Sequence, residues 1–317
     1  SGKSVIPLIS GTACAIPAVM ATRNIENWKE RLITILVIPF TTCSARLPVY
    51  LIIIALIIPD QRWMGMNLQG ITLMALYLLG FIVALFSSAI LTRILKMNHK
   101  TYFVVELPNY KLPLLRNIFI NVIEKVKAFI FEAGKIILSI SIILWGLASF
   151  GPGESFNDAE KIIKAKYEFS DLSKESLDYE IGSFKLEHSY IGILGKSITP
   201  IISPLGYDWK IGIALITSFA AREVFVGTLA TIYSVGQKND STIKEKMKAE
   251  LKPNGQPMFD FSTGVSLLLF YAFAMQCMST LAIVRRETNS WKWPILQLVF
   301  MTIIAYIAAL TAYQILS

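Results

Sequence analysis

The sequence predicts an all-α, polytopic helical membrane protein built from two repeats that contain broken or re-entrant helices. Three observations predict it. Of 317 residues, 54% are hydrophobic and only 16% are charged, where a soluble chain carries about 25% charged residues. Mean hydropathy is +0.55. Several apolar runs are long enough to cross a hydrocarbon core about 30 Å thick. The same composition excludes disorder and a disulfide scaffold.

The elements follow in order. Val5 to Ala21 is apolar but holds Pro7, Gly11 and Pro17, so a straight helix is not expected. A charged loop with Arg23, Glu26, Lys29, Glu30 and Arg31 leads to Leu32–Ile58, a run interrupted by Pro39 and Pro48 around Thr-Thr-Cys-Ser-Ala-Arg, 41–46. Leu68 to Leu95 is the cleanest span. Residues 93–127 carry seven bases against two acids. Within them Leu115, Ile118, Phe119, Val122, Ile123 and Val126 recur at helical spacing opposite Asn117, Asn121, Glu124 and Lys125. That pattern predicts an amphipathic interfacial helix.

A span from about Ile136 to Phe150 is closed by Gly151-Pro152-Gly153. Residues 154–188 read as a solvated insertion with a helical patch from Asp158 to Phe169. Residues 189–208, with Pro200, Pro204 and Gly206, read as a short interfacial helix and a turn. Ile211–Tyr233 is apolar yet carries Arg222-Glu223 at its middle. The polar loop 236–260 holds a small helix with a capping box, Thr242 to Glu245, closed by Pro253-Asn254-Gly255. The last spans are Val265–Val284 and Trp293–Leu316, with Trp291, Trp293 and Tyr313 as interface anchors.

Cys43-Ser-Ala-Arg-Leu47 and Cys277-Met-Ser-Thr-Leu281 form a weak internal repeat, each following a shorter interrupted segment, 5–21 and 211–233. Paired interrupted segments point to a midplane transport site. Four regions result: 1–95, a first repeat; 96–150, interfacial helix and span; 151–208, polar insertion and short helix; and 209–317, a second repeat with the polar loop 236–260. If 5–21 and 211–233 are hairpins, then 23–31, 93–127 and 285–292 share one side. Loops 59–67, 151–208 and 236–260 share the other. The first group is basic, whereas 151–208 holds ten acids and six bases, which places the first group in the cytoplasm.

The basic residues lie in short loops beside apolar runs, as topology signals do, so nucleic acid is not an expected partner. Ser1-Gly2-Lys3-Ser4 resembles the tail of a phosphate loop but lacks its strand and first glycine, and Pro7 follows. Cys14, Cys43 and Cys277 all lie in apolar segments at or near interruptions. A cysteine in a membrane helix is commonly a small packing residue. Beside freed carbonyls and thioethers (Met20, Met275, Met278) these three also suit a soft or borderline divalent metal. Arg46, Arg222 and Glu223 sit where a charge costs about 2.5–3.5 kcal/mol, which favours a gating or paired role. Glu223 is a candidate cation ligand or partner of Arg46. His99 and His188 lie in polar loops, and no intramembrane protease pattern is present, which leaves an intramembrane enzyme as a remote alternative.

These motifs resemble the ferrous iron transporter B family of prokaryotes. The matching blocks are Ser-Gly-Lys-Ser, Gly11-Thr-Ala-Cys14-Ala-Ile-Pro17 with Met20-Ala-Thr-Arg23, Glu30-Arg31-Leu32, Pro39-Phe40, and Cys43-Ser-Ala-Arg-Leu-Pro-Val-Tyr50. Others are Glu106-Leu-Pro108-Asn-Tyr110, Pro204-Leu-Gly-Tyr-Asp-Trp209, Ala220-Ala-Arg-Glu-Val224 and Arg286-Glu-Thr-Asn-Ser-Trp-Lys-Trp293. The resemblance implies a multi-pass importer of Fe²⁺ in the prokaryotic inner membrane, with gate-type repeats and Cys14, Cys43 and Cys277 along the iron path. It implies a C-terminal permease fragment whose parent adds an N-terminal GTPase domain and earlier helices. GTP would act only through that domain, and no cofactor would be bound permanently. The implied partners are Fe²⁺, the lipid bilayer, the rest of the parent chain and small accessory proteins of iron uptake. The alternative is a gate-type carrier for nucleosides or another small solute.

Overall fold

The computed structural model describes residues 2–63, 65–95, 114–152, 156, 158–166, 174–219, 221–233, 245, 247–248, 250–252, 255, 257–275 and 277–317. The Glu106–Tyr110 block, Lys96, His99, Lys100, Lys111, Thr242 and Pro253-Asn254 lie outside the described residues, as do the side chains of Asn121 and Lys125. Fourteen helices of seven residues or more are described: α1 (Val5–Gly11), α2 (Ala15–Ala21), α3 (Trp28–Val37), α4 (Leu47–Ile57), α5 (Leu68–Ile94), α6 (Leu115–Ser149), α7 (Ala159–Lys166), α8 (Lys174–His188), α9 (Tyr190–Ile202), α10 (Trp209–Thr217), α11 (Val224–Ile232), α12 (Phe261–Phe273), α13 (Met278–Thr288) and α14 (Lys292–Leu316). A two-residue antiparallel hairpin, Arg62–Trp63 against Met66–Asn67, is the sheet among them. Among the described residues, four stretches are long and apolar enough to cross a membrane: Trp28–Ile57, Leu68–Ile94, Phe261–Thr288 and Lys292–Leu316.

Local chemistry sets the starts. Asn27 accepts from the Lys29 and Glu30 amides, Asn67 from Gln69, Asp208 from Ile211 and Asp260 from Thr263. These are N-caps that satisfy otherwise orphaned donors. Pro39 turns the end of α3 into a 3₁₀ turn, and Pro48 is tolerated because it falls in the first turn of α4. The extended backbone at Thr41 and Cys43 lies between them. This first break packs tightly on its neighbours. A Cβ on Gly11 would stand 2.6 Å from Thr41 Oγ1, and one on Gly80 would stand 2.8 Å from Thr42 Oγ1.

The run Val265–Val284, expected to be one span, is also broken. Helix α12 ends at Phe273, Ala274 and Cys277 are extended, and α13 begins at Met278. No proline marks this break. Its main-chain groups are instead taken up by the second hairpin, as described below.

Segments 2–26 and 209–233 both return to the end from which they start. Lys3 Nζ pairs with Glu26 at 2.9 Å across the mouth of α1–α2. Lys210 stands over the Tyr233 ring at 4.9 Å and pairs with Glu250 across the mouth of α10–α11. The two mouths lie at opposite ends of the molecule. Near the first, Arg23 and Arg31 both donate to Glu287, and Lys29 reaches the Leu95 carbonyl. Near the second, Lys252 pairs with Asp260, and Ser262 donates to the Leu316 carbonyl.

The core joins both halves. Tyr50, Ile53, Phe225, Leu267 and Tyr271 are buried together, with the Phe225 and Tyr271 rings 4.8 Å apart. Helix α14 turns a face of Gln297, Met301, Ala305 and Ala309 inward, and α12 packs against it. Small residues at four-residue spacing let helix backbones approach. Its outer face, with Ile295, Leu296, Val299, Ile303 and Ile307, is exposed, as lipid contact requires. Where the sequence separates an interfacial helix from a span, α6 is one continuous helix of 35 residues. Its apolar stretch Ile137–Ser149 is about 20 Å long, short of a ~30 Å core. The insertion folds into α7 and α8, which pack together, and α8 packs on α9.

A candidate cation cavity between two helix breaks

All three cysteines sit where a helix stops and restarts. Cys14 precedes α2 with extended backbone, φ −156° and ψ 135°. Cys43 follows the first break at φ −87° and ψ 160°, and Cys277 precedes α13 at φ −146° and ψ 102°. All are free thiols and half-buried.

Each hairpin tip is tied to the break beside it. Ser44, next after Cys43, donates its amide (3.4 Å) and its hydroxyl (2.8 Å) to the Ala13 carbonyl in the first tip. Met278, next after Cys277, donates its amide to the Phe219 carbonyl in the second tip at 3.2 Å. The pattern is the same in both halves.

The breaks and tips enclose one cavity of about 200 Å³. Cys14, Cys43 and Cys277 line it, with Met275, Glu223 and Arg222. Thr41, Ser44, Ser279 and Thr280 add hydroxyl-bearing side chains, and Ile137 of α6 closes part of the wall. Cys14 lies in the electrostatic field of Cys43, Cys277 and Glu223, and Cys43 in that of Arg46 and Arg222. No aromatic ring and no amide side chain is among the described lining residues. Among the described residues no three Cys, His, Asp or Glu side chains gather into a closed metal cage. The thiols share a cavity wall rather than a preformed coordination sphere.

The other expected residues divide. Met275 lines the cavity. Met20 instead packs against the small cluster that contains Ile16, Val19 and Ile35, and Met278 is 38% exposed and outside the cavity lining. Arg46 is fully buried but donates to the carbonyls of Pro39 (3.0 Å) and Thr41 (3.4 Å). Arg222 donates to those of Tyr271 (3.4 Å) and Ala274 (3.0 Å). The expected Arg46–Glu223 pair is therefore replaced by guanidinium–carbonyl contacts, while Glu223 remains among the residues of the cavity wall. Lys3 and Ser4, read as a phosphate-loop tail, contact Glu26 and Thr34. His188 packs on Phe184.

Sequence reasoning missed the Arg23–Glu287–Arg31 cluster. Glu287 is 3% exposed in its side chain and receives both guanidiniums, joining α13 to the first hairpin and to α3. Its signal was an acid inside the basic stretch Arg285-Arg286-Glu287, read there as a topology signal. The hydroxyl residues Ser279 and Thr280 were also missed, although they align with Ala45 and Arg46 in the repeat.

The Gate family model, described as nucleoside recognition, matches residues 1–57 and 130–291. The model described as ferrous iron transport protein B C terminus matches residues 73–125. The chain is 44% identical over 317 residues to the Fe(2+) transporter FeoB of Leptospira interrogans serogroup Icterohaemorrhagiae serovar Lai (strain 56601), covering 99% of this chain and 43% of that protein. It is 34% identical over 328 residues to an Fe(2+) transport protein A/Fe(2+) transporter FeoB fusion protein of Porphyromonas gingivalis (strain ATCC BAA-308 / W83), covering 99% and 38%. It is 33% identical to the Fe(2+) transporter FeoB of Staphylococcus aureus (strain MSSA476), covering 99% and 41%. The chain thus spans less than half the length of these curated relatives. No solved structure matches it.

Proposed function

The chain belongs to the ferrous iron transporter B family, of which it carries the C-terminal membrane part, and from that premise we propose that it forms the path by which Fe²⁺ crosses the prokaryotic inner membrane. The observation that carries this reading is the cavity lined by Cys14, Cys43, Cys277 and Met275 between the two helix breaks. Sulfur donors suit a borderline divalent ion such as Fe²⁺ better than Na⁺ or Mg²⁺. A volume of about 200 Å³ holds such an ion with much of a water shell, at about 30 Å³ per water. Thiols spread along a wall bind an ion without trapping it, and passage needs a site that also lets go. In this reading Glu223 offsets cargo charge, and the hydroxyls of Thr41, Ser279 and Thr280 replace water as the ion sheds it.

The name of the Gate model raises a nucleoside cargo. A nucleoside site needs converging aromatic and amide groups and typically 300 Å³ or more. The cavity's described wall and its volume favour the ion. The work is transport rather than catalysis. GTP would act through the N-terminal domain of the parent protein, and the fusion found in Porphyromonas gingivalis supports a small accessory protein as partner. The end bearing Arg23, Arg31 and Arg285 faces the cytoplasm in this reading, as its basic loops favour.

The test is Fe²⁺ uptake by the full-length parent protein in proteoliposomes, with Cys14, Cys43 and Cys277 all replaced by serine and protein level matched. Serine keeps the volume but cannot supply a thiolate. Uptake should be lost. Uptake near the parental rate would make the cysteines packing residues and remove the reading's main support.

A further inference from the structure

Each helix break leaves main-chain carbonyls inside the protein with no helical amide to receive them. At the first break they belong to Pro39 and Thr41, and Arg46 donates to both. At the second they belong to Tyr271 and Ala274, and Arg222 donates to both. The longer contact in each break is 3.4 Å and the shorter 3.0 Å. The arginines arrive by different routes. Arg46 follows its own break in the chain, whereas Arg222 crosses from the second hairpin tip, 49 and 52 residues from its acceptors. The result is one guanidinium per break: Arg46 lies three residues after Cys43, and Arg222 sits on a carbonyl three residues before Cys277.

Both arginines are buried, and neither forms an ion pair with a carboxylate among the described residues. Their charges are met by carbonyl dipoles. A helix C-terminus favours a cation. In carriers built on broken helices, such unwound carbonyls and half-helix ends hold the coupling Na⁺ or proton. Here a covalently attached cation already sits on them. We propose that Arg46 and Arg222 are the resident cations of the two breaks, standing where a broken-helix carrier holds its monovalent coupling ion, so that neither break takes up Na⁺ or K⁺ as the divalent cargo moves. This rests on the transport reading above. It assigns the buried arginines a chemical task that snorkelling or an ion pair with Glu223 would not give them. Arg222 also lines the cavity, so one resident charge faces the cargo, where it disfavours any cation too weakly bound by sulfur to compensate.

The experiment has two arms. In the first, Fe²⁺ uptake by the full-length parent protein in proteoliposomes is compared with sodium, potassium or choline as the sole monovalent cation besides protons. In the second, the parent protein, Arg222→Lys and Arg222→Ala are unfolded thermally in detergent in the same three salts. At matched GTP hydrolysis the expected uptake rate is the same in all three media. The parent and Arg222→Lys should unfold at temperatures independent of the cation. Arg222→Ala vacates the carbonyls of Tyr271 and Ala274, so Na⁺ or K⁺ should raise its unfolding temperature saturably, by about 5 °C over choline. Uptake that requires Na⁺ or K⁺ while GTP hydrolysis by the parent is matched across the media overturns the proposal, as does a parent stabilised saturably by either ion in the absence of nucleotide. An Arg222→Ala protein that folds and ignores the cation also overturns it. If no medium supports uptake, the transport reading fails while the unfolding arm still decides this one. If Arg222→Ala does not fold, the cation response of the parent and Arg222→Lys decides it.

Discussion

The amide of Met278 donates to the carbonyl of Phe219 at 3.2 Å, pinning the chain at the residue next after Cys277 to the tip of the second hairpin. Ser44 is pinned to Ala13 in the corresponding way after Cys43. The cysteines on the two breaks are thus held by their following amides, so the position of each thiol is set by the hairpin that faces it. A hairpin that moves must carry its cysteine or break this bond.

The thioethers give a sharp contrast. Met275 lines the cavity, whereas Met20 packs in a small core and Met278 is outside the lining. In the full-length parent, Met275→Leu should lower Fe²⁺ uptake at limiting iron by about five-fold, the loss of roughly 1 kcal/mol of affinity. Met20→Leu and Met278→Leu should leave it unchanged. Concentration dependence of uptake at matched protein level checks all three.

Glu287 should be the most sensitive carboxylate for stability. Its side chain is 3% exposed, and it is shared by Arg31, which is 21% exposed, and Arg23, which is 47% exposed. Glu287→Gln keeps the volume and removes the charge. Breaking a buried pair costs about 3–5 kcal/mol; because Arg23 is half in solvent, about 2 kcal/mol is expected here. Thermal unfolding in detergent measures the change, and a double-mutant cycle with Arg31→Ala should show coupling.

Gly11→Ala should strain the first break, because the added Cβ would stand 2.6 Å from Thr41 Oγ1. Overpacking of this kind costs about 1–3 kcal/mol. Adding Thr41→Ala removes the clashing hydroxyl and should recover part of the loss. The unfolding temperatures of the two single variants and the double variant test this.

Asp260 supplies a pH dependence of known sign. Burial pushes its carboxyl up, but the Lys252 ammonium at 2.9 Å and the Thr263 amide at 2.7 Å outweigh that and hold it below the usual aspartate range. A lowered carboxylate contributes stability above its unfolded value, near 3.9, and loses it as pH falls through the native value. Asp260→Asn keeps the helix cap and removes the charge. Its stability deficit should be constant from about pH 7 to 5 and shrink as pH falls below about 4, the unfolded aspartate value, as unfolding across that range would show.

The arrangement in the bilayer can be read by labelling. On a cysteine-free background of the parent protein, Gln61→Cys should react with an impermeant maleimide in intact cells, whereas Asn289→Cys should not. Reaction at 289 with protection at 61 would invert the orientation.

Much of this architecture was legible in the sequence because proline announces itself. Pro39 and Pro48 mark the first break, and Pro7, Gly11 and Pro17 mark the first hairpin. The cysteines were legible for the same reason, since they sit at those interruptions. The second break was not. Between Phe273 and Cys277 nothing forbids a helix locally, and the carbonyls of the break are met by Arg222, 49 and 52 residues away. Helix α6 misled in the opposite direction. Its polar-to-apolar shift suggests two elements, yet Gly134 alone is a weak breaker and the helix runs through. Glu287 was hidden because a buried acid in a basic loop has no local signature; only folding shows which arginines surround it.

Helix α6 has a mechanical consequence. The ferrous iron transport protein B C terminus match ends at residue 125 and the Gate match resumes at 130, both inside this unbroken rod. About 33 Å of helix separates Leu115 from Ile137, at 1.5 Å per residue, and Ile137 is part of the cavity wall. A rod without a hinge transmits tilt and rotation along its length. A displacement imposed near residue 115 is therefore carried along the rod to the cavity wall at Ile137.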